Sequence, residues 1–170
     1  FILELKTPKQ RDLDLPSLKS LVNDENEGRI SISSLSFVDK KRVRELKNTS
    51  CDKLYRVKIS SVSTILKEKL KKGAAALTDT VVEQRTPKRV SHRRSDLIRK
   101  RGIRTIDVID FSDNHAVLEI RAEHGTYIKE LVSGDEGRTQ PNFSELLDSQ
   151  CKVEQLDVVQ LYLQETEVEK

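Results

Sequence analysis

The chain has 170 residues, of which 35% are apolar and 35% are charged, and its formal net charge is +3. This length suffices for one domain with a proper hydrophobic core. No apolar run approaches the roughly 20 residues that cross a bilayer, and no signal-peptide pattern is present, which argues against a membrane or secreted protein. Cys51 and Cys151 lack CxxC spacing, so we interpret them as free thiols of a reducing, intracellular compartment rather than as a disulfide or a metal pair.

Two strands and two helices are predicted in the first part of the chain. Phe1–Leu5 is a short apolar run typical of a strand. Leu15–Val22 has helical apolar spacing and a proline in its first turn. Arg29–Val38 alternates with one slip, which predicts a strand with a bulge. Asp39 is a good N-cap for a second helix, Lys40–Lys47.

The next segment combines a clear strand with a basic helix. Lys53–Ile59 alternates apolar and charged residues, which places Tyr55 on the apolar face of a strand. On spacing alone, Tyr55 is as consistent with core packing as with contact to a ligand. Thr64–Lys72 is predicted to be a short basic helix that ends at Gly73. Ala74–Val82 is ambiguous and is interpreted as a turn followed by a short strand or helix.

A basic segment, about residues 84–104, follows. From Arg85 to Arg104 it has nine basic residues and one acid, Asp96, a net charge of +8, so the other 150 residues carry −5. This pattern is typical of contact with a nucleic-acid phosphate backbone, although a solvated charged face is the alternative. The segment lacks a clear period, and we predict an extended arm or a hairpin. The candidate RNA-contacting residues are Arg85, Lys88, Arg89, His92, Arg93, Arg94, Arg99 and Arg101.

A hairpin and a strand-to-helix junction are predicted next. Ile103–Phe111 and His115–Glu123 read as strands joined by a turn at Asp113-Asn114. Gly125 then interrupts the second strand, and a glycine at a strand exit lets a ligand or another backbone approach closely. Thr126 is predicted to cap a short helix.

The remaining elements complete the fold prediction. Pro141-Asn142 introduces a helix, Phe143–Leu147, and the last strand is Val153–Leu163. Strands that alternate with short helices predict an α+β domain with a mixed, largely antiparallel sheet. We assign this domain to residues 1–163 and expect residues 164–170 to be an acidic tail.

Several common types of site are absent from the sequence. There is no phosphate-loop glycine motif and no dinucleotide-binding fingerprint. His92, His115 and His124 lack metal-ligand spacing, so no metal site is expected. The residues by themselves therefore indicate an intracellular RNA- or DNA-binding α+β domain.

Four stretches resemble a known enzyme family. Lys53-Leu54-Tyr55 resembles the lysine–any–tyrosine motif of pseudouridine synthases, and Gly125–Lys129 resembles their later glycine–threonine–tyrosine–isoleucine–basic motif. The longer runs Gln84–Arg94 and Leu131–Thr139 resemble archaeal and eukaryotic tRNA pseudouridine synthases that act on uridines of the TψC arm. The resemblance covers nearly the whole chain. It implies the pseudouridine synthase catalytic fold, tRNA as partner, no cofactor, no membrane, an upstream zinc-bearing RNA-binding domain, and a location in the nucleus or cytoplasm.

The resemblance also implies a role for each matching residue. Such an enzyme flips its uridine out of the RNA stack, and Tyr55 would stack on the uracil and help remove the C5 proton. Tyr127 and Ile128 would line the base pocket, and Leu156 would pack under the site. Lys129 would pair with the catalytic aspartate and hold it ionised.

One departure from the family concerns the nucleophile. In the family the nucleophilic aspartate precedes an arginine–proline–phenylalanine step, whereas this chain begins at Phe1 and contains no Met. We therefore expect a fragment that lacks the nucleophile and is inactive without it. The alternative is a non-catalytic RNA-binding module, which has no need for Tyr55, Lys129 and Leu156 to surround one pocket.

Overall fold

The computed structural model describes residues 2–163, and the chain divides into two units, one ending at Thr49 and one beginning at Ser50. The first unit contains helices α1 (Leu15–Asp24) and α2 (Lys40–Asn48). Both confirm the helices predicted there. Asp39 caps α2 as expected, because its Oδ1 accepts a hydrogen bond from the Arg42 amide at 2.8 Å.

The two strands predicted in the first unit are wrong for the residues described. Residues 2–5 and 29–38 form no strand, while Phe1 lies outside the described residues. In residues 29–38 the backbone is bonded to side chains instead. The Asn23 side chain accepts from the Ile32 amide at 2.7 Å and donates to the Ile32 carbonyl at 3.1 Å. Asn26 likewise accepts from the Ile30 amide at 2.6 Å. Side-chain amides thus occupy backbone groups that a sheet would have needed.

The second unit is organised around one six-stranded sheet in the order β5-β2-β3-β4-β1-β6. Every strand pair in the described residues is antiparallel, which confirms the predicted α+β class and the antiparallel character of the sheet. The strands β3 and β4 form the predicted hairpin. The strand bounds are β1 Cys51–Ser61, β2 Thr80–Arg85, β3 Ile98–Phe111, β4 His115–Ala122, β5 Thr139–Gln140 and β6 Cys151–Leu163.

Three helices and one 3-10 helix accompany the sheet: α3 (Lys67–Leu77), α4 (Ile128–Ser133), α5 (Phe143–Leu147) and the 3-10 helix Lys88–Arg93. The predicted helix end at Gly73 is wrong, since α3 continues four residues beyond it. Gly73 is buried, and a Cβ added there would lie 3.4 Å from the Cβ of Leu146. The glycine therefore serves the close contact between α3 and α5 rather than ending the helix.

The basic segment forms the hairpin that was one of its two predicted alternatives. Arg85 at the end of β2 pairs with Ile98 at the start of β3, and the 3-10 helix lies in the connection. Its backbone is therefore held by the sheet on both sides, which favours a fixed placement of its charges.

One face of the sheet carries the apolar core. Tyr55, Val57 and Ile59 point to this face from β1, and alternate residues of β4 from Ala116 to Ala122 join them. The opposite face is charged, as in the pair between Arg56 and Glu119. None of the helices within residues 2–163 has the length and apolar content to cross a membrane.

Candidate functional site

Tyr55 lies on the core face of the sheet, near the middle of β1. It is 8% exposed and stands between Ile120 of β4 and Val158 of β6. Burial raises the pKa of the Tyr55 hydroxyl above its ordinary value, because the phenolate would lose hydration. The neutral phenol is therefore the form present near pH 7.

Two further predicted pocket residues belong to the same apolar cluster as Tyr55. Ile128, the first residue of α4, is buried in it, and Leu156 of β6 is half-buried against it. Leu156 stands opposite Val57, two residues along β1 from Tyr55. The fold thus places Tyr55, Ile128 and Leu156 in or against one apolar core, from three elements that are distant in sequence.

The junction between β4 and α4 is built around a glycine in the left-handed region. Gly125 has φ +80°, and a Cβ added there would come within 3.4 Å of the Arg101 guanidinium. Thr126 was predicted to cap α4, but the cap position is Tyr127 and no side chain caps it. The Thr126 hydroxyl instead donates to the Glu123 carbonyl at 2.7 Å, because the glycine turn brings that carbonyl within reach.

Gln84, which the sequence did not single out as a site residue, contacts this junction directly. The Tyr127 amide donates to Gln84 Oε1 at 2.8 Å, and Gln84 Nε2 donates to the Tyr127 carbonyl at 3.0 Å. Gln84 is fully buried on β2. The sequence does contain a hint of this role. Gln84 lies two residues after Val82, so in a strand both side chains point to the same, buried face, where a glutamine is unusual.

Two charged side chains of α4, Lys129 and Glu130, have different environments. Lys129 is exposed and forms no ion pair within the described residues. Its neighbour Glu130 is 4% exposed and accepts from Arg89 Nε at 2.7 Å. This hydrogen bond raises the pKa of the Arg89 guanidinium. The same guanidinium lies 5.8 Å from the ring centre of Tyr127, which is half-buried.

Six of the nine basic residues of the basic segment have acidic partners. The pairs are Arg85 with Asp96, Lys88 with Glu136, Arg89 with Glu130, Lys100 with Glu83, Arg101 with Glu123 and Arg104 with Asp52. Hydrogen bonding to Arg85 holds the pKa of Asp96 below its usual value. In the described residues, Arg93, Arg94 and Arg99 have no acidic partner, and His92 is exposed. The cations available to an external anion are therefore fewer than the sequence indicates.

A cleft of about 410 Å³ opens at the end of the sheet where β1 begins. It is lined by Asp52, Arg121 and Tyr162, and its lining includes neither Tyr55 nor Lys129. Arg121 stacks on the Tyr162 ring at 3.9 Å, and Asp52 accepts from Arg104 at 3.0 Å. Its charges are thus largely compensated by one another. Within residues 2–163 no three histidine, cysteine or acidic side chains cluster as metal ligands.

The chain is similar to one known protein family along most of its length. A family model described as "Pus10, C-terminal" matches residues 1–161. The tRNA pseudouridine synthase Pus10 of Methanothrix thermoacetophila is 42% identical over 94% of this chain, and that of Picrophilus torridus is 43% identical over 95%. The chain spans only 35% and 42% of the length of these relatives.

One solved structure shows the same fold. A chain of a Cbf5-Nop10-Gar1 complex aligns with a TM-score of 0.54 at 18% identity, covering 65% of this chain and 30% of that one. At this identity the likeness concerns the fold alone.

Proposed function

This chain belongs to the Pus10 C-terminal family, and on that premise we propose that it forms part of a tRNA pseudouridine synthase. The reaction is an isomerisation that needs no cofactor: the bond from the ribose to N1 of uracil breaks, and a bond to C5 forms. The proton on C5 is lost, and N1 gains one. Both relatives described above are named as tRNA pseudouridine synthases.

Tyr55 is proposed to stack on the flipped uracil. Its place in one apolar cluster with Ile128 and Leu156 is the observation that carries this proposal. A base taken out of an RNA stack needs a flat apolar surface in exchange for its lost neighbours. Because burial raises the pKa of Tyr55, its hydroxyl serves better as a hydrogen-bond donor or proton relay than as a free phenolate.

Lys129 is proposed to pair with a nucleophilic aspartate supplied from outside this chain. Its exposure and its lack of an acidic partner in the described residues support this role, since the ammonium is available to a carboxylate. Tyr127, two residues earlier, is proposed to line the base pocket next to Ile128.

The RNA contacts, the target uridines and the location of the protein are also part of the proposal. The basic segment is proposed to contact tRNA phosphates, with uridines of the TψC arm as the target. The complete protein is proposed to add an upstream zinc-bearing RNA-binding domain and to work inside the cell, in the nucleus or cytoplasm, where tRNA is processed.

Substitution of Lys129 in the full-length protein tests the proposed chemistry. Lys129→Ala should lower turnover of a tRNA transcript by about 100-fold or more, because the ion pair serves the reacting aspartate, while tRNA affinity changes little. Tyr55→Phe should keep affinity and lose turnover if the hydroxyl takes part in proton transfer. Lys72→Ala, at another exposed helical lysine, is the control.

The same assay separates an enzyme from an RNA-binding module. Pseudouridine is measured directly in the tRNA, and affinity is measured by filter binding. Full-length protein that binds tRNA tightly but forms no pseudouridine would refute the enzyme and favour the binding module.

A further inference from the structure

We infer that Gln84 is a positioning residue for the proposed base pocket, a role that rests on the proposed function. Its side-chain amide forms both of its hydrogen bonds to one residue, Tyr127, through that residue's amide and carbonyl. Gln84 has no solvent-exposed surface. A buried primary amide is costly unless its donor and acceptor are both used, and here both are used on the same backbone unit.

The Tyr127 amide and carbonyl, to which Gln84 is hydrogen-bonded, lie where α4 begins. Tyr127 is the N-cap residue, so its amide has no partner within the helix, and Gln84 Oε1 supplies one. The Tyr127 carbonyl accepts from the Leu131 amide at 2.9 Å and from Gln84 as well. The glutamine therefore satisfies the backbone amide at the start of the helix and holds the backbone from which Tyr127, Ile128 and Lys129 extend.

The strand that carries Gln84 is a rigid support. At this residue β2 pairs with Arg99 of β3 on one side and with Thr139 of β5 on the other. The helix α4 has only six residues, and the burial of Ile128, Leu131 and Val132 in the core and the hydrogen bonds of Gln84 together set its position. Because β2 is paired on both sides, Gln84 has a fixed position, and its hydrogen bonds to Tyr127 fix the start of α4 relative to the pocket.

The test compares Gln84→Met with Val82→Ala in the full-length protein. Val82 is also buried on the same face of β2, but no side-chain hydrogen bond joins it to Tyr127. Gln84→Met should lower kcat for pseudouridine formation by on the order of 10- to 100-fold, since small displacements of a positioned group are that costly. KM and tRNA affinity should stay within about twofold, because the surface of the basic segment is unchanged.

Stability is measured for both variants by thermal unfolding, so that a general loss of structure is recognised. Val82→Ala should keep near-normal kcat at the assay temperature even where its Tm falls as far as that of Gln84→Met. Equal kcat losses at equal Tm, or normal kcat in Gln84→Met, would overturn the assignment of Gln84.

Gln84→Asn serves if the methionine variant does not fold. Its amide is one methylene shorter, so from the same backbone position it cannot make both hydrogen bonds to Tyr127, and kcat should fall with KM unchanged. A normal kcat in this variant would overturn the assignment as well. Wild-type protein that folds and binds tRNA but forms no pseudouridine would instead refute the proposed function, so the two failures are distinguishable.

Discussion

The distribution of ion pairs within the basic segment predicts which arginines control the salt dependence of RNA binding. Arg93 and Arg94 are exposed and have no acidic partner in residues 2–163, whereas Arg85 and Lys88 are paired with Asp96 and Glu136. A cation that already has a carboxylate partner brings that carboxylate close to any phosphate it contacts. We therefore expect the unpaired arginines to contribute most of the counterion release.

The magnitude follows from the number of cations removed. Each neutralised phosphate contributes about 0.7–0.9 to the slope of log affinity against log salt concentration, so replacing Arg93 and Arg94 with glutamine should flatten the slope by about 1.4–1.8. The matched double variant, Arg85→Gln with Lys88→Gln, removes the same charge. Its slope should change by less than about half as much.

Fluorescence anisotropy with labelled tRNA over a series of KCl concentrations measures both slopes. Circular dichroism of each variant shows whether the fold is retained. An unchanged slope in the Arg93 and Arg94 variant would remove these arginines from the RNA interface. Equal changes in the two double variants would refute the reasoning from ion pairs.

Two further predictions concern stability and thiol reactivity. Arg89→Met should lower the free energy of unfolding in urea by roughly 1–3 kcal/mol, because it leaves the buried carboxylate of Glu130 without its partner. Arg93→Met should cost less than about 0.5 kcal/mol, and a similar cost for both variants would contradict the structural role of the pair. In the native protein, Cys51 should react with a thiol-reactive disulfide reagent faster than Cys151 does. Cys151 is buried, and burial raises the pKa of its thiol. Faster labelling of Cys151 by mass spectrometry would contradict its burial.

Local signals determined several elements correctly. The helix Phe143–Leu147 has the predicted bounds, because Asn142 caps it by accepting from the Glu145 amide at 3.0 Å, an interaction between neighbours in sequence. The alternation in Lys53–Ile59 likewise predicted strand β1 and the face on which Tyr55 lies. The strand predicted at residues 29–38 is wrong because a strand also needs a partner strand, and alternation of apolar residues does not show whether one exists.

The family, strand β1 and the residues proposed for the base pocket could all be predicted from the amino-acid sequence. The tertiary structure decided which charges remain available and what holds α4 in place. Arg89 pairs with Glu130 across 41 residues of sequence, and Gln84 reaches Tyr127 across 43. No local pattern records such partners, because only the folding of the sheet brings them within hydrogen-bonding distance.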